Sequence, residues 1–200
     1  MKTKILLLFA LLSGINAYAQ DYQWGIGLRV GDPTGISVKK YLSNTNAVEL
    51  NIGKTAFFIN DAYFRDRFNL CNNVTYTDCK FDGFRGVSAI AIQGHYLFNY
   101  DFSGIDIGKL QWYFGFGPQL RFYSYLYDYK YKLNGSNDWI QVRSEKATEI
   151  DIGVDGVFGI EYAFEGFPVS VFLDIDLFIE IFNNPFFFYG QGGLGARYSF

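Results

Sequence analysis

The sequence predicts an all-β protein, an eight-stranded antiparallel up-and-down transmembrane β-barrel preceded by a cleaved signal peptide. Residues 149–183 give the clearest indication, because apolar and polar side chains alternate there through two runs of about 14 residues on either side of Gly166-Phe167-Pro168. Runs of that length can cross a bilayer at a tilt, which takes roughly 9 to 11 residues. Aromatic residues make up 20% of the chain and occur with 22 glycines, which favours strands over helices.

The chain divides into a predicted signal peptide, residues 1–19, and one barrel domain, residues 20–200. Lys2 and Lys4 precede an apolar run, and Ala17-Tyr18-Ala19 has small residues at the two positions that a signal peptidase reads. The 17 Lys and Arg, two of them in this leader, are outnumbered by 20 Asp and Glu. An exported acidic chain without a basic cluster is not expected to bind nucleic acid. Every apolar run is too short for a membrane-spanning helix.

Alternating segments define the eight strands. The hairpin 149–183 supplies the sixth and seventh, and the other six are predicted at residues 23–30, 36–42, 47–57, 84–98, 111–127 and 191–200. Pro118 predicts a bulge or bend within its strand, since proline cannot donate to the ladder. Residues 127–147 predict a hairpin that turns at Asn134-Gly135. Residues 58–83 predict a polar loop in which Cys71 and Cys79 pair after export, and a metal site would need more ligands than this loop offers.

The two faces of these strands differ in charge. Only Lys40 and Lys54 are charged on the apolar face, and each lies near a strand end. The opposite face is predicted to form a polar network inside the barrel, comprising Arg29, Lys39, Glu49, His95, Arg121, Glu149, Asp151, Asp155, Glu161, Asp174, Asp176, Glu180 and Arg197. Alternation alone leaves a soluble sandwich or a lipocalin-like barrel open, because in those folds the apolar face is the core.

Aromatic residues on the apolar face favour the membrane barrel. Several strands, running in both directions, place them at the level of the inner membrane boundary, as expected of an interfacial girdle. The predicted girdle comprises Trp24, Tyr96, Phe98, Trp112, Tyr162, Phe164, Tyr198 and Phe200.

With its signal peptide, eight alternating strands, inner girdle and final Gly-Ala-Arg-Tyr-Ser-Phe, the chain resembles the small OmpA/OmpX-like outer-membrane barrels of Gram-negative bacteria. The resemblance implies a location in the outer membrane, with its lipids as partners. It also implies that Phe200, with Tyr198 two residues before it, belongs to the signal read by the barrel-assembly machinery. It specifies architecture rather than activity.

Function is predicted to reside in the loops, since loops on a rigid scaffold commonly bind. The favoured interpretation is a structural or surface-interaction protein without catalysis or cofactor, whose unknown extracellular ligand contacts Trp139, Phe186, Phe187, Phe188 and Tyr189. One alternative is a small passive channel or a lateral route for small apolar molecules. The second is a lipid A-modifying enzyme, which would need a histidine beside a nucleophile. The single His95 falls in the lumen register, and Ser88 falls in the opposite one.

Overall fold

A computed structural model describes residues 23–56, 61–68, 71–72, 75–102 and 109–200. The predicted signal peptide lies outside these residues. They form one short helix and eight strands: β1 (Trp24–Asp32), β2 (Thr34–Tyr41), β3 (Asn46–Lys54), α1 (Asp61–Asp66), β4 (Tyr76–Asp101), β5 (Lys109–Leu133), β6 (Ile140–Ala163), β7 (Val169–Phe182) and β8 (Phe188–Ser199).

The strands close into a barrel in which each pairs with the next, and β8 pairs with β1. All eight pairings are antiparallel. The predicted fold class, eight antiparallel up-and-down strands, is confirmed. Closure leaves no free edge around the barrel wall. We call the end where β1 begins and β8 ends the terminal end, and the opposite end the loop end.

The barrel is apolar outside and charged inside. On the hairpin β6–β7, Ile175 is 64% exposed and Leu177 48%, whereas Asp151 and Asp174 are 0% and 2% exposed. A soluble sandwich or lipocalin-like barrel would bury the isoleucine and leucine side chains and hydrate the carboxylates. The observed arrangement is the one expected of a barrel whose outer wall faces hydrocarbon.

Three strands are much longer than the rest. β4, β5 and β6 contain 26, 25 and 24 residues, whereas β3 stops pairing with β4 at Ile90 and β7 stops pairing with β6 at Ile152. Residues 76–88, 124–133 and 140–149 therefore continue beyond the barrel, and we call them the protruding sheet. At about 3.3 Å per residue, its longest strand segment measures roughly 40 Å.

The protruding sheet corrects the predicted loop at 58–83. Residues 76–83 belong to β4, although Asp82 and Gly83 are typical turn residues. β4 accommodates them through register shifts between Phe81 and Gly83 and between Arg85 and Ser88. Such bulges let a strand continue through residues that would otherwise end it. The hairpin predicted at 127–147 has the expected turn, and its two arms are continuous with β5 and β6.

α1 closes the loop end of the barrel with aromatic side chains. Tyr63 and Phe64 are buried against Tyr123 and Tyr125 of β5, and the Phe64 and Tyr125 rings lie 4.9 Å apart. This cluster fills the mouth above the lumen. Among the residues described, no helix is both long and apolar enough to cross a bilayer.

A bulge or a bend was predicted at Pro118, and the strand register shows no bulge there. β5 keeps one register with β4 from Gln119 to Phe116 and pairs Pro118 with Val154 of β6. The backbones approach closely at this point, as they do at several other glycines of the barrel. A Cβ added to Gly117 would lie 1.7 Å from the carbonyl oxygen of Gly94, so a larger residue would displace the adjacent strand.

Candidate functional sites in the lumen and the protruding sheet

The structure places the residues of the predicted polar network inside the barrel. Twelve of the thirteen are buried, and Glu149 lies at the mouth with its side chain 24% exposed. They fall into three clusters along the barrel axis. The predicted network left out several members that carry no charge or lie outside the predicted strands. Asp32 belongs to a predicted turn and Arg67 to a predicted loop, and the uncharged members are Tyr41, Gln93, Tyr113, Gln119 and Gln191.

The terminal-end cluster is organised around Glu161. Its carboxylate receives the Lys39 ammonium at 2.6 Å, the Tyr41 hydroxyl at 2.6 Å and the Ser170 hydroxyl at 2.7 Å. The Arg197 guanidinium lies 3.4 Å away. With these donors around it, a buried carboxylate is well compensated.

The central cluster has fewer cations for its carboxylates. The Arg29 guanidinium bridges Asp174 at 2.7 Å and Asp176 at 2.6 Å. Asp155 instead faces His95, whose Nε2 lies 3.3 Å from Oδ2 of the carboxylate.

The loop-end cluster joins the barrel to the loop that carries α1. Arg121 lies 3.1 Å from Asp151 and 3.4 Å from Glu180. Arg67 reaches into the mouth, where it also pairs with Asp151 and lies 3.3 Å from Glu180. Together the three clusters fill the lumen with charged and hydrogen-bonded side chains, which argues against an open aqueous pore.

His95 is not arranged as a base beside a nucleophile. Its ring lies between the carboxylates of Asp155 and Glu49, the latter 3.8 Å from Nδ1. Ser88 is exposed on the protruding sheet. Nucleophilic catalysis needs the two side chains within hydrogen-bond reach, and this pair does not meet that condition.

The eight predicted girdle residues lie at the terminal end of the barrel and have outward positions. Trp24, Tyr96, Phe164 and Phe200 are exposed. Tyr100, which sequence analysis did not include, stacks on Trp112 at 4.5 Å. The Lys40 ammonium lies 4.9 Å from the Trp24 ring centre, as expected for a lysine that extends from an apolar wall towards headgroups.

The protruding sheet has two lateral edges, and they differ. The β4 edge is irregular, with three register shifts against β5 and positive φ angles at Gly83 and Gly86. The β6 edge runs without a register shift from Glu145 to the barrel. Among the described residues, no strand pairs with 140–149 on the side facing away from β5.

The orientation of the β6 edge follows from one contact. The Asn183 side chain donates to the carbonyl of Ile150 at 2.6 Å, so this carbonyl points away from β5. Because backbone groups alternate along a strand, the N–H and C=O groups of Lys146 and Thr148 point the same way. They form the unpaired part of the edge.

The predicted surface residues are only partly at the surface. Phe186 and Phe188 are 79% and 58% exposed. The structure corrects Tyr189, which falls in the lumen register and donates from its buried hydroxyl to Asp32. Phe187 is half-buried, with its ring 4.6 Å from Tyr63.

Trp139 is 38% exposed near the tip of the protruding sheet. The ammonium groups of Lys80, Lys130 and Lys132 lie 4.7 to 5.7 Å from its ring centre. Cys71 and Cys79 form a disulfide that ties the loop after α1 to the start of β4.

Closed next-neighbour topology, an apolar outer wall and a charged interior together define a class. The chain is a closed, eight-stranded, antiparallel up-and-down β-barrel whose apolar wall and charged lumen are those expected of a membrane-spanning barrel.

Comparison with solved structures finds three matching chains. One of them is Ail, the attachment invasion locus protein of Yersinia pestis, which is 11% identical to this chain, with a TM-score of 0.42, covering 88% of this chain and 93% of Ail. No protein-family model and no curated protein matches the sequence.

Proposed function

We propose that the chain is an integral outer-membrane β-barrel protein that presents the protruding sheet to an extracellular ligand. The observation that carries this proposal is the unpaired edge of β6 beyond the barrel. An exposed, regular strand edge is a template for an incoming strand. Here the rigid barrel holds that template clear of the wall that faces lipid.

Three features support the outer membrane as the location. The first is the predicted export signal at residues 1–19, and the second is the apolar wall with its aromatic residues at the terminal end. The third is the aromatic Phe200, hydrogen-bonded through its backbone to Trp24 where the barrel closes. In this proposal the girdle residues contact outer-membrane lipids, and Phe200 is read by the barrel-assembly machinery during insertion.

The β6 edge suits strand addition better than the β4 edge. Bulges and positive φ angles twist a strand edge and oppose pairing. The β4 edge has three register shifts and positive φ angles at Gly83 and Gly86, whereas the β6 edge has one register shift, opposite Ser144, and is regular from Glu145 to the barrel. Removing Asp128–Lys146 would be a poor test, because it would also leave the first residues of β4 without their β5 partners.

A sharper test removes edge donors alone. Lys146→Pro combined with Thr148→Pro deletes two N–H groups that point away from β5, and Lys146→Ala combined with Thr148→Ala is the matched control. We expect bacteria that display the proline variant to lose adhesion to a surface to which the parent adheres, while the alanine variant adheres as the parent does. Both variants should keep the different gel mobilities of heated and unheated samples that mark a folded barrel. Equal adhesion by the two variants would contradict strand addition at this edge.

No observation specifically favours either alternative function, a passive channel or a lipid A-modifying enzyme. Charged clusters fill the lumen, and His95 faces carboxylates. Conductance across a planar bilayer would support a passive channel, and a change in lipid A mass on co-expression would support an enzyme.

A further inference from the structure

The central cluster contains three side chains with metal-binding chemistry. His95, Asp155 and Asp176 are buried, and each offers one ligand atom such that the three atoms lie within 4.8 Å of one another. We propose that these residues bind one divalent transition-metal ion, of the Zn²⁺ or Mn²⁺ type, in the middle of the lumen. A mixed imidazole and carboxylate set suits such ions. Ligands about 2.0 to 2.2 Å from one ion lie no more than about 4.4 Å apart, so small side-chain rotations suffice.

In Asp155 and in Asp176, one carboxylate oxygen contacts a donor side chain and the other has no hydrogen-bond partner among the described residues. Asp155 Oδ2 accepts from the Gln93 amide at 2.8 Å, and Asp176 Oδ2 faces the Arg29 guanidinium at 2.6 Å. The other oxygens, Asp155 Oδ1 and Asp176 Oδ1, are buried and have no hydrogen-bond partner in the described part of the chain. Buried oxygens of this kind are rare and costly. A ligating carboxylate normally has this arrangement, with an outer donor fixing one oxygen and the metal taking the other.

The second nitrogen of His95 also lies near a carboxylate. Its Nδ1 is 3.8 Å from Glu49 Oε1, beyond hydrogen-bond distance, and it has no hydrogen-bond partner among the described residues. Metal-binding histidines commonly direct their second N–H at a carboxylate, which fixes the tautomer and the ring. The competing interpretation is an imidazolium ion between two carboxylates, without a metal.

The excess of buried carboxylates over buried Arg and Lys side chains favours a bound metal ion over an imidazolium ion alone. Among the described residues, eight carboxylates are buried in the barrel with four Arg and Lys side chains: Asp32, Glu49, Asp151, Asp155, Glu161, Asp174, Asp176 and Glu180 with Arg29, Lys39, Arg121 and Arg197. Arg67 adds a fifth cation, at the mouth. Within this set, Asp155 has no ion pair with Arg or Lys. A divalent ion would neutralise two negative charges where the excess is greatest, and uncompensated buried charges are strongly destabilising.

Refolding with Co²⁺ as the probe tests the site. The tag-free protein, unfolded with a chelator and refolded in detergent, should bind one Co²⁺ per chain. The chain has a single histidine, so a paramagnetically shifted imidazole signal can come only from His95. Asp155→Asn should weaken Co²⁺ binding at least tenfold. Asp151→Asn is the matched control, because Asp151 is an equally buried carboxylate on the same face of β6, and it should bind as the parent does.

Stability gives a second measurement. A chelator should lower the denaturant midpoint of the parent and of Asp151→Asn, and it should leave Asp155→Asn unchanged. A parent protein that refolds, as judged by the mobility of unheated samples, but gives no shifted imidazole signal would overturn the proposal. So would Co²⁺ binding of equal strength in the two variants. If Asp155→Asn fails to refold, the imidazole signal of the parent decides.

Discussion

Arg197 illustrates how single residues stabilise a polar barrel interior. It is fully buried, donates to the Ser37 hydroxyl at 3.0 and 2.9 Å, and pairs with Glu49 and Glu161. Its guanidinium also lies 3.6 Å from the Phe172 ring centre. One planar cation thus compensates two buried carboxylates and packs on an aromatic face, which lysine could not do equally well.

Replacing Arg197 by methionine should therefore be strongly destabilising. The change keeps much of the side-chain volume but leaves Glu49 and Glu161 short of a cation, and breaking a buried pair in this way costs about 3 to 5 kcal/mol. The free energy of unfolding in detergent, measured by urea titration, checks the prediction. Arg143→Met is the control, because Arg143 is exposed on the protruding sheet and its loss should cost under about 0.5 kcal/mol. If both substitutions lowered the free energy of unfolding equally, the burial of Arg197 could not be the cause of the destabilisation.

At the scale of elements, the β5–β6 hairpin contains a bulge with its own side-chain support. The register shifts between Tyr127 and Tyr129, and Ser144 opposite has a φ of 61°. Asp128 accepts from the Ser144 backbone N–H at 2.7 Å and pairs with Arg85 at 2.7 Å. The backbone N–H of Ser144, and then the Arg85 guanidinium, lower the pKa of Asp128 from its ordinary value.

This bulge should loosen in acid. A carboxyl group whose pKa is lowered by folding stabilises the folded form fully above its unfolded pKa, and the contribution is lost as the pH falls through the lowered folded pKa. Amide exchange at Ser144 should therefore accelerate, relative to the intrinsic rate, as Asp128 is protonated. In Asp128→Asn that acceleration should be absent, because the neutral side chain does not titrate. A parent whose Ser144 protection stays constant through the titration of Asp128 would contradict this assignment.

At the scale of the whole molecule, the barrel has a wall that suits lipid and a sheet that extends past it. The three tryptophans report on these regions separately. Trp24 and Trp112 lie on the outer wall at the terminal end, whereas Trp139 lies on the protruding sheet among lysines. The position of each tryptophan along the barrel axis is therefore expected to determine whether lipid can reach its ring.

Fluorescence quenching by brominated lipids should separate them. In single-tryptophan variants reconstituted into vesicles, the lipids should quench Trp24 and Trp112, while Trp139 should keep its emission and respond to an aqueous quencher. The physical reason is distance, since Trp139 lies several residues beyond the last lipid-facing position of β6. Strong lipid quenching of Trp139 would mean that the protruding sheet lies on the membrane surface.

Several strand features could be predicted from the sequence, and others could not. The alternation at 149–183 separated the isoleucines from the carboxylates, because a period of two assigns each residue to a face. The aromatic girdle and the scarcity of charge on the apolar face then indicated that the isoleucines point outward. The continuation of β4 before Phe84 was missed, because Asp82 and Gly83 are turn formers in isolation. Pairing with β5 and two bulges override that local preference.

The sequence by itself determined the number of strands and their two faces, since these follow from local periodicity. Only the tertiary structure decided which lumen residues meet. Asp155 faces His95 across 60 residues of chain, and Arg67 reaches Asp151 from a loop. Those contacts depend on barrel closure and on the stagger between neighbouring strands, which set the position of each inward residue along the barrel axis. Alternation along one strand contains no information about how that strand is aligned with another.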